Sequence, residues 1–264
     1  MSTPPLLTAK HYKAPSVFTA HNLLREARRQ KELSQATVPS LCVLDPDGDI
    51  VRYLVATGQA QIDPTWACYH TALYTFLLQG QRLGIIGCAV GASFAVLVAE
   101  ELFASGCELL ISITSAGQIT PLGEPPYFIL IERALRDEGT SYHYLPPSDF
   151  SVLSPALSRL LKKAFTDSSL TVYTGATWTT DAPFRETEAA IQYAQGLGLL
   201  AVEMEAAALY AFSEVKQVPV ICFAHVTNQM ARTLGDFEKG IANGSLAALA
   251  LLKQVMHNWL HRSE

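Results

Sequence analysis

Four places in the sequence set groups able to do chemistry beside apolar runs. The first is the stretch 201–210, AVEMEAAALY, where Glu203 and Glu205 interrupt an aliphatic string. A carboxylate there must face water or accept hydrogen bonds, because burying it unpaired is costly. Residues two apart in a helix lie on different faces. Read as a first helical turn, the pair is either two solvated acids favoured by the helix dipole or one solvated acid and one turned inward. The other places are 114–117, with Ser115 and Gly117; 177–185, with Thr177, Trp178, Phe184 and Arg185; and 226–229, with Asn228 shortly after His225. Each follows an apolar run, and in parallel sheets ligands bind beyond the carboxyl ends of the strands. His225 itself either reaches that ligand or is a satisfied core histidine.

Other clusters lead elsewhere. Asp45, Asp47 and Asp49 suggest a calcium loop, but an EF-hand needs glycine at its sixth position and glutamate at its twelfth, where Ile50 and Ala56 stand. The stretch reads as a turn with solvated acids, and Asp45 or Asp47 becomes a candidate base only if position and pKa suit. Five cysteines at wide spacing form neither a C-x-x-C pair nor a Cys/His metal pattern, so no metal is expected and reduced thiols of a cytoplasmic protein are.

A net charge of −5 gives no footprint for nucleic acid or an anionic membrane, which leaves small molecules as partners. Only 16% of residues are charged, against ~25% in an average soluble domain. Apolar surface lying against another copy, in a homo-oligomer (dimer, trimer or hexamer), is therefore expected. The run 83–99 is almost wholly apolar, yet glycines at 84, 87 and 91 divide it. It reads as strand, turn and helix rather than a membrane span. The N-terminus shows no apolar stretch of a secretory signal.

The elements that must position these residues follow from periodicity. Helices are expected at 14–33, 93–105, 155–165, 186–195 and 236–257, with a further apolar element at 199–210. Strands are expected at 41–44, 51–56, 67–78, 82–88, 109–114, 127–131, 170–174 and 219–225. The alternation predicts an α/β fold: a single-domain, three-layer α/β/α sandwich around a central mixed, mostly parallel sheet. An N-terminal arm and helix (1–40) would precede the domain proper (41–264).

The string VEMEAAAL at 202–209 resembles the signature of the nucleoside phosphorylase family, which includes uridine phosphorylase, the hexameric purine nucleoside phosphorylases and the methylthioadenosine nucleosidases. The segments 87–102, 110–119 and 175–181 are similar to that family in order and spacing, so the resemblance runs from about residue 41 to the C-terminus. It implies that Glu205 accepts hydrogen bonds from ribose hydroxyls and that Met204, beside Glu203, packs on the sugar. It also implies that Trp178 and Phe184 stack on the base and that Asn228 hydrogen-bonds it, where the purine enzymes carry an aspartate. Ser115 with neighbouring backbone amides would hold phosphate or water.

The family's phosphorolytic members grip phosphate with three arginines, and this sequence departs from them at each. Gly48, Ser112 and either Tyr69 or His70 stand at those positions, leaving Arg52 and Arg185 as possible replacements. The expected activity is cleavage of a nucleoside's N-glycosidic bond by phosphate, giving free base and ribose 1-phosphate, with no cofactor beyond phosphate as possible co-substrate. Phosphate-independent hydrolysis and non-catalytic nucleoside binding are the alternatives.

Overall fold

The computed structural model describes residues 4–162, 164–165, 170–230 and 234–262. From the N-terminus, α1 (Ala20–Gln30) precedes β1 (Leu41–Asp45), α2 (Asp49–Ala56), β2 (Ala60–Ile62), β3 (Tyr74–Leu78), β4 (Gln81–Gly87) and α3 (Ala92–Ala104). Then come β5 (Leu109–Gln118), β6 (Tyr127–Asp137), α4 (Ser141–Tyr144), β7 (Phe150–Val152), α5 (Pro155–Leu161), β8 (Val172–Thr180) and α6 (Glu188–Gly196). The chain ends with β9 (Leu199–Glu203), α7 (Ala206–Lys216), β10 (Val220–Asn228) and α8 (Ser245–Leu260).

The strands form one mixed sheet in the order β10-β6-β8-β9-β5-β1-β4-β3-β2, with β7 on β6. Its long ladders, β5–β10 and β6–β8, are parallel, whereas β9 meets β5 antiparallel. Because β10 also pairs with β5, the strands β5, β10, β6, β8 and β9 close into a ring, a feature that periodicity alone does not announce. The ring's seam is short: β5 and β9 share only Gly117↔Val202 and Gln118↔Ala201. Helices α1, α3, α4 and α7 pack together, as do α2, α5 and α8, and these two groups flank the sheet. Among the described residues no helix is long and apolar enough to cross a membrane.

Several elements differ from expectation, each for a local reason. Residues 51–56 belong to a helix, not a strand. Gly48 takes the left-handed conformation at φ 75° before α2, and the Asp45 carboxylate accepts from Val51 N–H at 2.9 Å, so the acidic turn is a helix start. Ile50, Val51 and Leu54 then form its buried face. Of 67–78 only Tyr74–Leu78 is strand. The element at 199–210 splits, so that Glu203 ends β9 and Glu205 is the N-cap residue of α7 rather than both acids lying in a helical turn. The last helix starts at Ser245, after Gly244 at φ 78°, and not at 236. Helix α5 stops at Leu161, while position 163 of the expected 155–165 helix lies outside the described residues.

Candidate active site

The β9–α7 junction holds two carboxylates in opposite states. Glu203 Oε2 accepts from the backbone N–H of Glu205 and of Ala206, both at 2.7 Å. Its Oε1 accepts from Thr177 Oγ1 at 3.2 Å and Thr179 Oγ1 at 2.5 Å. These threonines alternate along β8 and so share a face. Burial raises the Glu203 pKa, but its four donors favour the charge. Glu203 thus caps α7 and ties it to β8.

Glu205 is 1% exposed. Its Oε1 accepts from Gly91 N–H at 2.7 Å, at the entrance to α3. Its Oε2 is buried and has no partner among the described residues. Burial first, and then the charge of Glu203, push the Glu205 carboxyl well above the ordinary carboxylate range, against the Gly91 amide and the Thr114 side chain. A buried acceptor left open is costly unless something arrives to fill it.

Above this junction lies a cavity of about 320 Å³, lined by Ser115, Gly117, Phe184, Glu203, Met204 and Asn228 among others. That volume is at the lower end for small-molecule pockets. Gly117 is required by close approach: a Cβ there would stand 2.5 Å from Met230 Sδ and 3.4 Å from Asn228 Oδ1. Asn228 Oδ1 accepts from Met230 N–H at 2.9 Å. Its amide nitrogen has one long bond, 3.3 Å to Thr227 Oγ1, which leaves an N–H to donate. Phe184 stands at the rim, 99% exposed.

On the other side of Ser115 a much smaller corner encloses about 20 Å³ between Asp45, Asp47, Asp49, Thr114, Ser115 and His225. Such a space holds one water. The Ser115 hydroxyl donates to Asp47 Oδ2 in a very short contact. Lys239 Nζ bridges Asp47 Oδ2 at 2.9 Å and Asp49 Oδ2 at 2.6 Å, and Arg52 pairs with Asp49 Oδ1 at 2.7 Å. Burial, with the charges of Asp47 and Asp49, raises Asp45 to about 7 against the Val51 amide. Burial lowers His225 to about 4, so at neutral pH its ring, stacked on Phe128 at 4.5 Å, is uncharged.

A family profile described as "Phosphorylase superfamily" matches residues 42–257. The chain belongs to the phosphorylase superfamily. Curated relatives include DeoD-type purine nucleoside phosphorylases of Bacillus cereus (strain ZK / E33L) and Bacillus thuringiensis (strain Al Hakam). Each is 28% identical over 188 residues, which cover 68% of this chain and 77% of the relative. Among solved structures, uridine phosphorylase from Vibrio fischeri ES114 shares the fold with a TM-score of 0.72 at 21% identity, over 85% of this chain and 95% of that one. A complex of that enzyme with 6-hydroxy-1-naphthoic acid aligns at 0.67 and 19% identity, over 87% and 95% of the two chains.

Not every predicted residue of this superfamily member reaches the cavity. Trp178 lies on the opposite face of β8 from Thr177 and Thr179. Its Nε1 donates to Asp137 Oδ2 at 2.9 Å, and it borders a separate hollow with Arg136 and Tyr142, so it does not stack in this cavity. Thr177 is fully buried beneath Glu203 and acts through it. Arg185 is exposed and lines neither space, so it does not replace a phosphate-binding cation here. His225 lines the corner and not the larger cavity. Sequence reasoning missed Lys239, Gly91 and Glu186, whereas Thr114 belongs to the stretch 114–117 that it had singled out. Only Glu186 carried a signal, being an acid within two residues of Phe184.

Proposed function

We propose that the protein cleaves the N-glycosidic bond of a nucleoside, with water as the nucleophile. The observation that carries this reading is Glu205: a buried carboxylate with one oxygen fixed by Gly91 and the other without a partner among the described residues, itself lining neither space but flanked in the chain by Met204, which lines the cavity, and hydrogen-bonded at the glycine turn before α3. Ribose hydroxyls would supply the missing donors and favour the ionised carboxylate. That charge would in turn stabilise the positive charge developing on the sugar as the bond to the base loosens. Met204, half-buried on the cavity wall, would pack against the sugar, and the Asn228 N–H would donate to the departing base.

The corner supports water rather than phosphate. Three carboxylates line it, the Ser115 hydroxyl is turned to Asp47, and Lys239 is held by Asp47 and Asp49. A dianion there would meet like charges. Asp45, with a pKa raised to about 7, matches what a general base needs at neutral pH. The water oxygen would join C1′, its proton would pass to Asp45, and the bonding pair would leave with the base, which takes a proton from solvent. The reaction needs neither metal nor organic cofactor.

Phosphorolysis to ribose 1-phosphate is the second reading. It is favoured by Lys239 at the corner and requires Asp47 and Asp49 to release it. Incubation with purine and pyrimidine nucleosides, with and without phosphate, separates the two by chromatography of free base. Release that is indifferent to phosphate supports hydrolysis, phosphate-dependent release supports the second reading, and no release from any nucleoside overturns both. Five free thiols among the described residues fit a reducing, cytoplasmic setting. Exposed apolar side chains such as Val17, Phe18 and Leu77 fit a homo-oligomer.

A further inference from the structure

Strand β8 has a second face, and it borders a space apart from the catalytic cavity. Thr177 and Thr179 donate to Glu203, whereas Trp178, between them, lines a hollow of about 300 Å³ with Arg136, Asp137, Tyr142, Asp149 and Tyr193. That volume is at the lower end for small-molecule pockets. None of these six residues lines the cavity above Glu203 or the acidic corner. Arg136 is buried, and among the described residues it has no carboxylate partner. Its Nε donates to Ser141 Oγ at 2.8 Å, its Nη1 to Pro146 O at 2.8 Å and Ser148 Oγ at 2.7 Å, and its Nη2 to Leu145 O at 3.2 Å. A guanidinium carries five N–H groups, so one on Nη2 is left to donate. On the acceptor side, Asp137 spends Oδ2 on the Trp178 indole, 2.9 Å away. The exposed Asp149 carboxylate has neither oxygen committed among the described residues. Its backbone carbonyl accepts from Arg136 N–H at 2.9 Å, so the two side chains start from adjoining backbone.

These groups define what fits. A guanidinium and two carboxylates around one hollow disfavour a ligand of either net charge, since each sign meets its like. The Tyr142 ring already carries Arg136 at 4.3 Å, which leaves Trp178 and Tyr193 as surfaces for a flat ring. A carboxylate with both oxygens free is best matched by two N–H donors side by side, and the spare Arg136 N–H requires a carbonyl oxygen next to them. We propose that this hollow is a second ligand site, taking a neutral fused ring that presents an amino group, a ring N–H and a carbonyl in a row. Asp149 accepts from the amino group and the ring N–H, Arg136 Nη2 donates to the carbonyl oxygen, and Tyr193 covers a ring face. Guanine and the pterins share this edge. Adenine places an unprotonated nitrogen where the ring N–H belongs, so a lone pair meets the carboxylate and the site's own groups are left unpaired. The proposal does not depend on the N-glycosidic reading above.

The test is isothermal titration of the full chain with 9-methylguanine, 6-methylpterin and 9-methyladenine. None of the three carries a sugar, so glycosidic cleavage does not enter the result. The wild type should bind 9-methylguanine or 6-methylpterin about ten-fold or more tighter than 9-methyladenine, and the tighter of the first two identifies which source of the shared edge the hollow takes. Asp149→Asn, which exchanges one acceptor oxygen for a donor, should weaken that binding by about ten-fold or more. Tyr193→Ala, which removes a ring face, should weaken it by about two- to ten-fold. Both side chains are exposed, so both variants should melt with the wild type. Absence of binding by both edge-bearing compounds, or equal affinity for 9-methyladenine, overturns the proposal. So does an affinity unmoved in Asp149→Asn, which would put the ligand elsewhere on the molecule.

Discussion

At the β1–α2 and β9–α7 junctions the chain uses the same device twice. The last residue of the strand, Asp45 or Glu203, turns its carboxylate back onto amides of the following helix, and a second acid stands two positions on: Asp47, which lines the corner, or Glu205, which is buried against the Gly91 amide. The outcomes differ because of what surrounds the second acid. Asp47 is partly exposed and is matched by Lys239 and Ser115. Glu205 is sealed, receives one amide and keeps an oxygen open. Position in a strand-to-helix junction therefore does not fix whether an acid is structural or available; the donors that converge on it do.

Substitutions should divide along that line. The largest effect expected is on stability at the capping acid. Glu203→Ala strands two threonine hydroxyls and two backbone amides, and should cost about 3–5 kcal/mol, read from urea unfolding; a loss under 1 kcal/mol would show that α7 does not depend on this cap. Its neighbour should behave in the opposite way. Glu205→Gln keeps an acceptor for Gly91 and mimics the neutral carboxyl that burial and Glu203 favour in the empty site, so the melting temperature should hold while turnover falls by about 100- to 1,000-fold. Parallel losses of stability and turnover would erase the contrast between the two acids.

The other junction gives smaller numbers. A base with a pKa near 7 must be ionised to act, so turnover should rise with pH through about 7. Asp45→Asn should lower the plateau about 100-fold and flatten that rise. A pH profile unmoved by this change would remove Asp45 from the chemistry. Stability should move the other way. Because burial raises the Asp45 pKa in the folded state, the folded protein holds this proton more tightly than the unfolded chain between about 4 and about 7. Stability from this group therefore falls as pH rises across that window, and Asp45→Asn should narrow the difference in melting temperature between pH 5 and pH 8. The smallest effect expected is from Lys239→Met, about 1 kcal/mol from breaking a partly exposed bridge, measured by thermal unfolding at low salt. A rise in stability there would show that Asp47 and Asp49 do not need the ammonium.

Much of the scaffold could be read before any coordinates, because strands such as β1, β4 and β10 are nearly continuous apolar runs and α3 begins at a glycine turn. The failures have common causes. Asp49–Ala56 is rich in β-branched and aromatic residues, which favours strand by propensity, and the Asp45 cap that overrides this acts across six positions. Closure of the ring depends on pairing between β5 and β10, remote in sequence, which no local pattern encodes. For the site, the signature around Glu205 drew attention to the β9–α7 junction, but period-two alternation along β8 already forbids Thr177 and Trp178 from facing one cavity. Lys239 was invisible because it arrives from 190 positions away to meet Asp49.

The seam between β5 and β9 gives the ring a clasp. Its two paired positions lie beside Gly117 and Val202, both on the cavity wall, whereas the remaining ladders of the ring run through buried core. Past the ladder the clasp is fastened again, because the N–H groups of Ile119 and Thr120 donate to the Leu200 carbonyl and the Thr120 hydroxyl donates to that of Leu199, so the cavity wall at Gly117 and Val202 is held from both sides.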